Sequence, residues 1–204
     1  VNQDKMDFTV LNYDDLNLRE FKNEIKSNLI WFSTNEKLNK GIYIDGEDIV
    51  INDGSNTIPL MPYKDIKILG RHNLENVLGC IGICISMGVD LEILKNVISN
   101  FKGVEHRLEY VDEIKGIQFY NDSKGTNPEA SIKAIEAIPS PIILIAGGYD
   151  KSSSFDEFIA SFNDKVKALI LLGQTKFKIK EPANRNNFKD YHIVETLDEA
   201  VALA

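Results

Sequence analysis

The 204-residue sequence exceeds the roughly 100 to 150 residues of a common single domain, so one large or two modest domains is the first expectation. Its 43% hydrophobic and 26% charged residues fit an ordinary globular protein with material for a packed core, and argue against disorder. A formal net charge of −8 without a Lys/Arg cluster speaks against a general nucleic-acid binder. Apolar runs such as Ile142 to Ala146 and Ala168 to Leu172 are far short of the roughly 18 residues that cross a bilayer, and no signal peptide opens the sequence, so the composition reads as cytoplasmic.

In chain order, Phe8 to Tyr13 predicts a strand that runs out into Asp14-Asp15. Leu18 to Ile25 has helical spacing, and Leu29 to Ser33 predicts a second strand. A strand with nothing before it implies sheet neighbours upstream. From Gly41 to Leu69, Ile42 to Ile44, Asp48 to Ile51 and Ile58 to Leu60 alternate around Asp45-Gly46 and Asp53-Gly54, the signal of hairpins in a small antiparallel sheet. A long helix follows, with Val77, Cys80, Ile81, Cys84 and Ile85 on its apolar face. Gly79 and Gly82 cost it stability and predict close approach of another backbone. Cys80 and Cys84, the only cysteines, read as core packing rather than a metal or redox pair. A second helix covers Asp90 to Phe101, with Asp90 as N-cap and Leu91, Leu94, Val97 and Ile98 buried.

After Lys102-Gly103 the pattern restarts. Leu108 to Val111, Gly116 to Tyr120, Ile142 to Ala146, Ala168 to Leu172 and His192 to Glu195 predict strands, with helices over Pro128 to Ile138, Phe155 to Val166 and Leu197 to Leu203. This alternation calls for an α/β domain with a parallel sheet covered on both faces. The domain boundary is placed near Phe101 to Gly103. The last helix lacks a stop signal, so the chain is expected to be cut at that end too.

Ligands of open parallel sheets bind beyond the carboxyl ends of the strands. Three features stand there or nearby. Asn121-Asp-Ser-Lys-Gly-Thr-Asn127 leads into a helix opened by Pro128. It reads either as an anion site, with Lys124 aided by backbone N–H groups, or as a turn with Asn127 as N-cap. Asn121-Asp122-Ser123 also matches a glycosylation triplet, which matters only in a secreted chain. Gly147-Gly-Tyr-Asp-Lys151 allows close backbone approach to a ligand and offers Lys151 to a carboxylate or phosphate. A tight strand-to-helix turn explains it almost as well, and it is not the Gly-x-x-x-x-Gly-Lys-Ser/Thr loop. His106-Arg107 provides a guanidinium suited to phosphate, while His106 alone reads as a packed or hydrogen-bonded residue. In Gly70-Arg-His-Asn-Leu-Glu-Asn76, Asn73 and Asn76 are three apart on one face, where amides cap a helix or read a base edge.

Together, Gly70 to Asn76, Phe101 to Arg107, Asn121 to Asn127 and Gly147 to Lys151 resemble, in order and spacing, the signatures of the Mur ligase family. The Asp-Ser-Lys-x-Thr-Asn form at Asp122 to Asn127 resembles the D-glutamate-adding branch. Gly125 stands where many relatives have Ala, so a small residue is retained. The resemblance implies that residues 1–101 are the end of a central mononucleotide-binding α/β ATPase domain with a small antiparallel sheet. Residues 102–204 would be most of a Rossmann-like, doubly wound, amino-acid-binding C-terminal domain.

It further implies an ADP-forming ligase in peptidoglycan precursor synthesis. ATP would phosphorylate the carboxylate of UDP-N-acetylmuramoyl-L-alanine, and the amine of D-glutamate would attack the acyl phosphate. Family roles carried onto matching positions put Asn73 and Asn76 beside the adenine, Arg107 with the phosphates, and Asp122 with the ribose. Lys124, Thr126 and Lys151 would surround D-glutamate and the acyl phosphate, with Lys124 and Lys151 as the catalytic pair. The magnesium ligands, the phosphate loop and the uridine-binding domain are expected upstream, and this segment is expected to be inactive alone. Two alternatives are another Mur or folylpolyglutamate-type ligase, and a stand-alone nucleotide-binding module without catalysis.

Overall fold

The computed structural model describes residues 2–139 and 141–204, which divide into two compact units, 1–103 and 104–204. In the first, β1 (Phe8–Asn12), α1 (Leu16–Phe21), β2 (Asn28–Ser33), β3 (Gly41–Asp45), β4 (Asp48–Asn52) and β5 (Thr57–Pro62) precede two helices, α2 (Arg71–Ser86) and α3 (Leu91–Asn100). The five strands form one sheet in sequence order. β1, β2 and β3 pair in parallel, and β3, β4 and β5 pair antiparallel. The hairpins foreseen around Asp45-Gly46 and Asp53-Gly54 are therefore present, but as an extension of the parallel sheet and not a separate one. β3 makes the join, because its two edges pair with strands of opposite sense.

Strand alternation sorts the side chains of this sheet. Ile42 and Ile49 face a core completed by Leu60, Met61, Val77, Leu78, Ile81, Leu94 and Ile98, whereas Tyr43 and Val50 point to the opposite face with Leu38, Tyr13 and Trp31. Leu78 and Ile81 are fully buried; side chains of this kind each contribute roughly 1.5–3 kcal/mol. Asp90 caps α3 as expected, accepting from the N–H groups of Glu92 and Ile93. Three expectations are corrected. Val97 is 57% exposed, because α3 buries only the narrow Leu94–Ile98 stripe fully. Cys80 is exposed, and α2 turns Leu78 and Gly82 inward instead. What approaches Gly79 and Gly82 is side chain, not backbone: a Cβ on Gly79 would lie 3.4 Å from the Phe32 ring, and one on Gly82 2.7 Å from a Val10 methyl.

The second unit contains β6 (Glu109–Ile114), β7 (Ile117–Asn121), α4 (Pro128–Ala137), β8 (Ile142–Gly148), α5 (Asp156–Ala160), β9 (Val166–Gly173), α6 (Lys176–Arg185), β10 (Tyr191–Ile193) and α7 (Leu197–Leu203). β8, β9 and β10 form a parallel sheet in the order β10-β9-β8. Within it β9 is central, with Leu169, Ile170 and Leu171 buried on both faces. The core joins Ile135, Ile142, Phe158, Ile159, Phe162, Leu169, Leu171, Ile179 and Ala183. β6 and β7 do not enter this sheet. They pair antiparallel as a hairpin of their own, so the strand leading into Asn121 is not part of the parallel array predicted for it. The helix expected over Phe155 to Val166 stops at Ala160, and α6 was not foreseen.

Candidate functional site

In the second unit, the turn before β6 and the loop after β7 are bonded to each other. Lys124 N–H donates to His106 O at 2.9 Å, Leu108 N–H donates to Asp122 Oδ1 at 2.9 Å, and Asn121 Nδ2 lies 2.9 Å from His106 Nδ1. Glu109 Oε2 accepts from His106 N–H at 2.7 Å. His106 and Leu108 carry positive φ angles of 67° and 45°, and the cross-bonds offset the cost of that backbone. The hairpin brings the two segments together because it returns residue 121 beside residue 109. Arg107, Lys124 and Thr126 are all exposed on this knot, and among the described residues the guanidinium of Arg107 and the ammonium of Lys124 have no hydrogen-bonding partner. Gly125 completes the loop: its N–H donates to Asp122 O at 2.7 Å, and a Cβ there would stand 2.5 Å from Asp122 Oδ2.

Asn127 is the N-cap of α4, its Oδ1 accepting from Ala130 N–H at 2.8 Å, with Pro128 at the first helical position. The cap reading of this end of the loop therefore holds, while Lys124 and Thr126 take no part in capping. Lys151 belongs to another segment. β8 runs through Gly147 and Gly148, and a Cβ on Gly147 would fall 1.9 Å from the carbonyl oxygen of Leu172 on β9, so only glycine fits. Beyond the strand, the carboxylate of Asp150 accepts from Lys178 Nζ at 2.8 and 3.1 Å and from Ser152 N–H at 2.8 Å. The bond from Lys178, then that from Ser152, hold the Asp150 carboxyl below the usual carboxylate range. Lys151, exposed, is presented beside this anchored aspartate.

In the first unit, Asn73 and Asn76 share one face of the first turns of α2. Asn73 is buried, donating to Leu69 O at 2.7 Å and accepting weakly from Asn76 Nδ2 at 3.5 Å; Asn76 is exposed. Asn73 thus holds its neighbour, and Asn76 is the amide turned outward. A polar cluster that sequence reading missed lies beyond β1 and β2. Asp14 accepts from Ser33 Oγ at 2.6 Å and from Thr34 N–H and Oγ1 at 2.8 and 3.0 Å. Burial pushes its carboxyl up, but the bonds from Ser33 and Thr34 outweigh this and leave it below the usual range. The only hint in the sequence was a carboxylate placed just past a parallel strand.

Among the described residues no group of three or more His, Cys, Asp or Glu side chains is placed to hold a metal ion. No described helix is long and apolar enough to cross a membrane. Desolvation by its surroundings, then the neighbouring Cys84, push the Cys80 thiol up.

The family description "Mur ligase, glutamate ligase domain" matches residues 106–204. The chain is 48% identical, over its whole length, to the UDP-N-acetylmuramoylalanine--D-glutamate ligase of Thermoanaerobacter sp. strain X514, of which it spans 45%. It is 44% identical over 98% of its length to the enzyme of the same name from Clostridioides difficile strain 630, of which it spans 44%. The chain thus covers less than half the length of these curated relatives. Among solved structures, the UDP-N-acetylmuramoylalanyl-D-glutamyl-2,6-diaminopimelate--D-alanyl-D-alanyl ligase of Acinetobacter baumannii covers 97% of the chain at a TM-score of 0.66 and 13% identity, a likeness of fold. The ordered motifs, the α/β fold with its parallel sheets and the identity to curated relatives agree: the chain belongs to the Mur ligase family.

Proposed function

We propose that this chain is part of an ATP-dependent, ADP-forming ligase that joins D-glutamate to UDP-N-acetylmuramoyl-L-alanine in peptidoglycan precursor synthesis, in the cytoplasm. The observation that carries the reading is the bonded knot of residues 106–108 and 121–125. It exposes Arg107, Lys124 and Thr126 on a braced backbone, in a chain 42% identical or more to relatives named for this reaction.

Amide formation from a carboxylate and an amine needs the carboxylate activated, and ATP supplies that activation as an acyl phosphate. On this reading Arg107 meets the nucleotide phosphates with its fork of donors, and Asp122 meets the ribose. Lys124 and Lys151 neutralise the carboxylates of D-glutamate and the charge that builds on the acyl phosphate oxygens, while Thr126 orients the amino acid by a hydrogen bond. Charge stabilisation and positioning are what such a reaction asks of a protein, since the bond changes occur among bound groups. Asn76, held by Asn73, faces the adenine. Magnesium is assigned to ligands outside this chain, and the 204 residues alone are expected to be inactive.

The test is phosphate release from ATP by the complete gene product carrying this chain, given UDP-N-acetylmuramoyl-L-alanine with D-glutamate, L-glutamate or no amino acid. Release dependent on D-glutamate is expected, and Arg107→Ala or Lys124→Ala should lower kcat/KM by at least about tenfold. Release with another amino acid would move the chain to another branch of the family. Near-normal turnover in both variants would refute the residue roles.

A further inference from the structure

α2 begins without a side-chain cap. Its N-cap position is Gly70, at φ 95°, which has no side chain to satisfy the first N–H groups. The first turn is held in another way. Arg71, the first residue of the helix, sends Nη2 to Thr34 Oγ1 at 3.0 Å and to Asn35 Oδ1, and its Nε lies 3.5 Å from Glu75 Oε1. Thr34 is itself fixed by Asp14, to which it donates through both N–H and Oγ1. Ser33, fully buried, donates to the same carboxylate and accepts from the N–H groups of Asn35 and Glu36. The far side of the cluster is closed by Arg19, which pairs with Glu36 at 2.6 Å, donates to Tyr13 O and lies 3.9 Å over the Tyr13 ring. One continuous run of bonds, Asp14 to Thr34 to Arg71, therefore ties the exits of β1 and β2 to the start of α2, the end of the helix that carries Asn73 and Asn76.

We propose that Asp14, Thr34 and Arg71 are positioning residues for base recognition, fixing the start of α2 so that the Asn76 amide, one turn on, discriminates adenine from guanine. The inference rests on the reading of Asn73 and Asn76 as adenine-facing. Adenine presents a donor at its six-position where guanine presents an acceptor, so an amide separates them only if its oxygen and nitrogen are held in place. A shift of about 1 Å in such a group costs up to about 100-fold. A helix start without a side-chain N-cap lacks one local restraint on that shift, and the carboxylate-centred tether supplies another from the strand ends.

The experiment measures kcat/KM for ATP and for GTP, and KM for D-glutamate, in the complete gene product and in the variants Asp14→Asn, Thr34→Val, Thr34→Ser and Asn76→Ala. Asp14→Asn and Thr34→Val should each narrow the ATP/GTP ratio by about tenfold without changing KM for D-glutamate, and Thr34→Ser, which keeps the hydroxyl, should restore the ratio. Asn76→Ala should narrow it as well. If Asn76→Ala narrows the ratio but Asp14→Asn and Thr34→Val do not, the tether is structural only and the proposal is overturned. If Asn76→Ala leaves the ratio unchanged, the adenine reading itself fails, and the proposal with it. Should Asp14→Asn not fold, Thr34→Val against Thr34→Ser decides the matter.

Discussion

Gly79 and Gly82 lie three residues apart in α2, yet the same substitution should act on them in opposite directions. Alanine is favoured over glycine in a helix interior by about 0.8–1.0 kcal/mol. At position 79 the new methyl meets the Phe32 ring at 3.4 and 3.6 Å, an ordinary contact, so Gly79→Ala should stabilise by about 0.5–1 kcal/mol. At position 82 it would stand 2.7 Å from Val10 Cγ1 and 3.3 Å from both Val10 Cγ2 and Ile42 Cδ1. Carbon atoms prefer about 3.5–4.0 Å, and the stiff valine must move. Overpacking of this kind costs about 1–3 kcal/mol, which offsets the helical gain and leaves Gly82→Ala neutral to destabilising by about 2 kcal/mol. Urea unfolding followed by circular dichroism, with the denaturant slope unchanged, reads the difference directly. Adding Val10→Ala to Gly82→Ala should recover part of the loss, a coupling that Val10→Ala with Gly79→Ala should lack. Equal effects at the two sites, or the reverse order, would refute this account of how α2 packs on the sheet.

Lys165 Nζ donates to the carbonyls of Ile135, Glu136 and Ile138 at 3.0, 2.8 and 3.1 Å, closing the C-terminal end of α4, so Lys165→Met should cost about 1–2 kcal/mol in thermal unfolding. Because the Asp14 carboxyl titrates below the usual range when folded, its stabilisation is present above the unfolded value and is lost as pH falls through the folded one. Asp14→Asn should therefore lose less stability than the parent sequence between pH 5 and pH 3, and equal losses would exclude the role given to Ser33 and Thr34. Lys178→Met releases Asp150 beside Lys151; since the pair is partly solvated, KM for D-glutamate in the complete gene product should rise by no more than about fivefold, with KM for ATP unchanged.

Much of the fold was legible because burial imposes period. The final helix occupies the residues expected, Leu197–Leu203, and its start is marked by Thr196 and Glu199 bonding reciprocally at the N-terminus. The misreadings have local causes. Phe155, Phe158, Ile159, Phe162 and Val166 keep helical spacing and do share one core, but the helix ends at Ala160. A turn with Asn163 at φ 44° carries Phe162 inward, and Val166 already belongs to β9. α6 escaped notice because Lys176, Lys178, Lys180, Glu181 and Arg185 leave little apolar signal and Pro182 argues against a helix. The structure seats that proline in the last turns, buried beside Ile179 and Ala183. The site divides in the same way. Arg107, Lys124 and Lys151 stood out as cations in short loops. The Asp14 cluster did not, because its partners Ser33, Thr34 and Arg71 are far off in sequence and meet only when the sheet forms.

The collision awaiting any side chain at Gly147 divides the loop after β8 into a part that can vary and a part that cannot. Gly173 faces the same constraint from the other strand, where a Cβ would lie 2.9 Å from the backbone nitrogen of Gly148. Natural or directed changes in acceptor preference that act through this loop must therefore enter beyond the glycines. Tyr149, 77% exposed and carried on a backbone that the strand ends already fix, is the position where a new side chain alters what the loop presents without disturbing how the sheet closes.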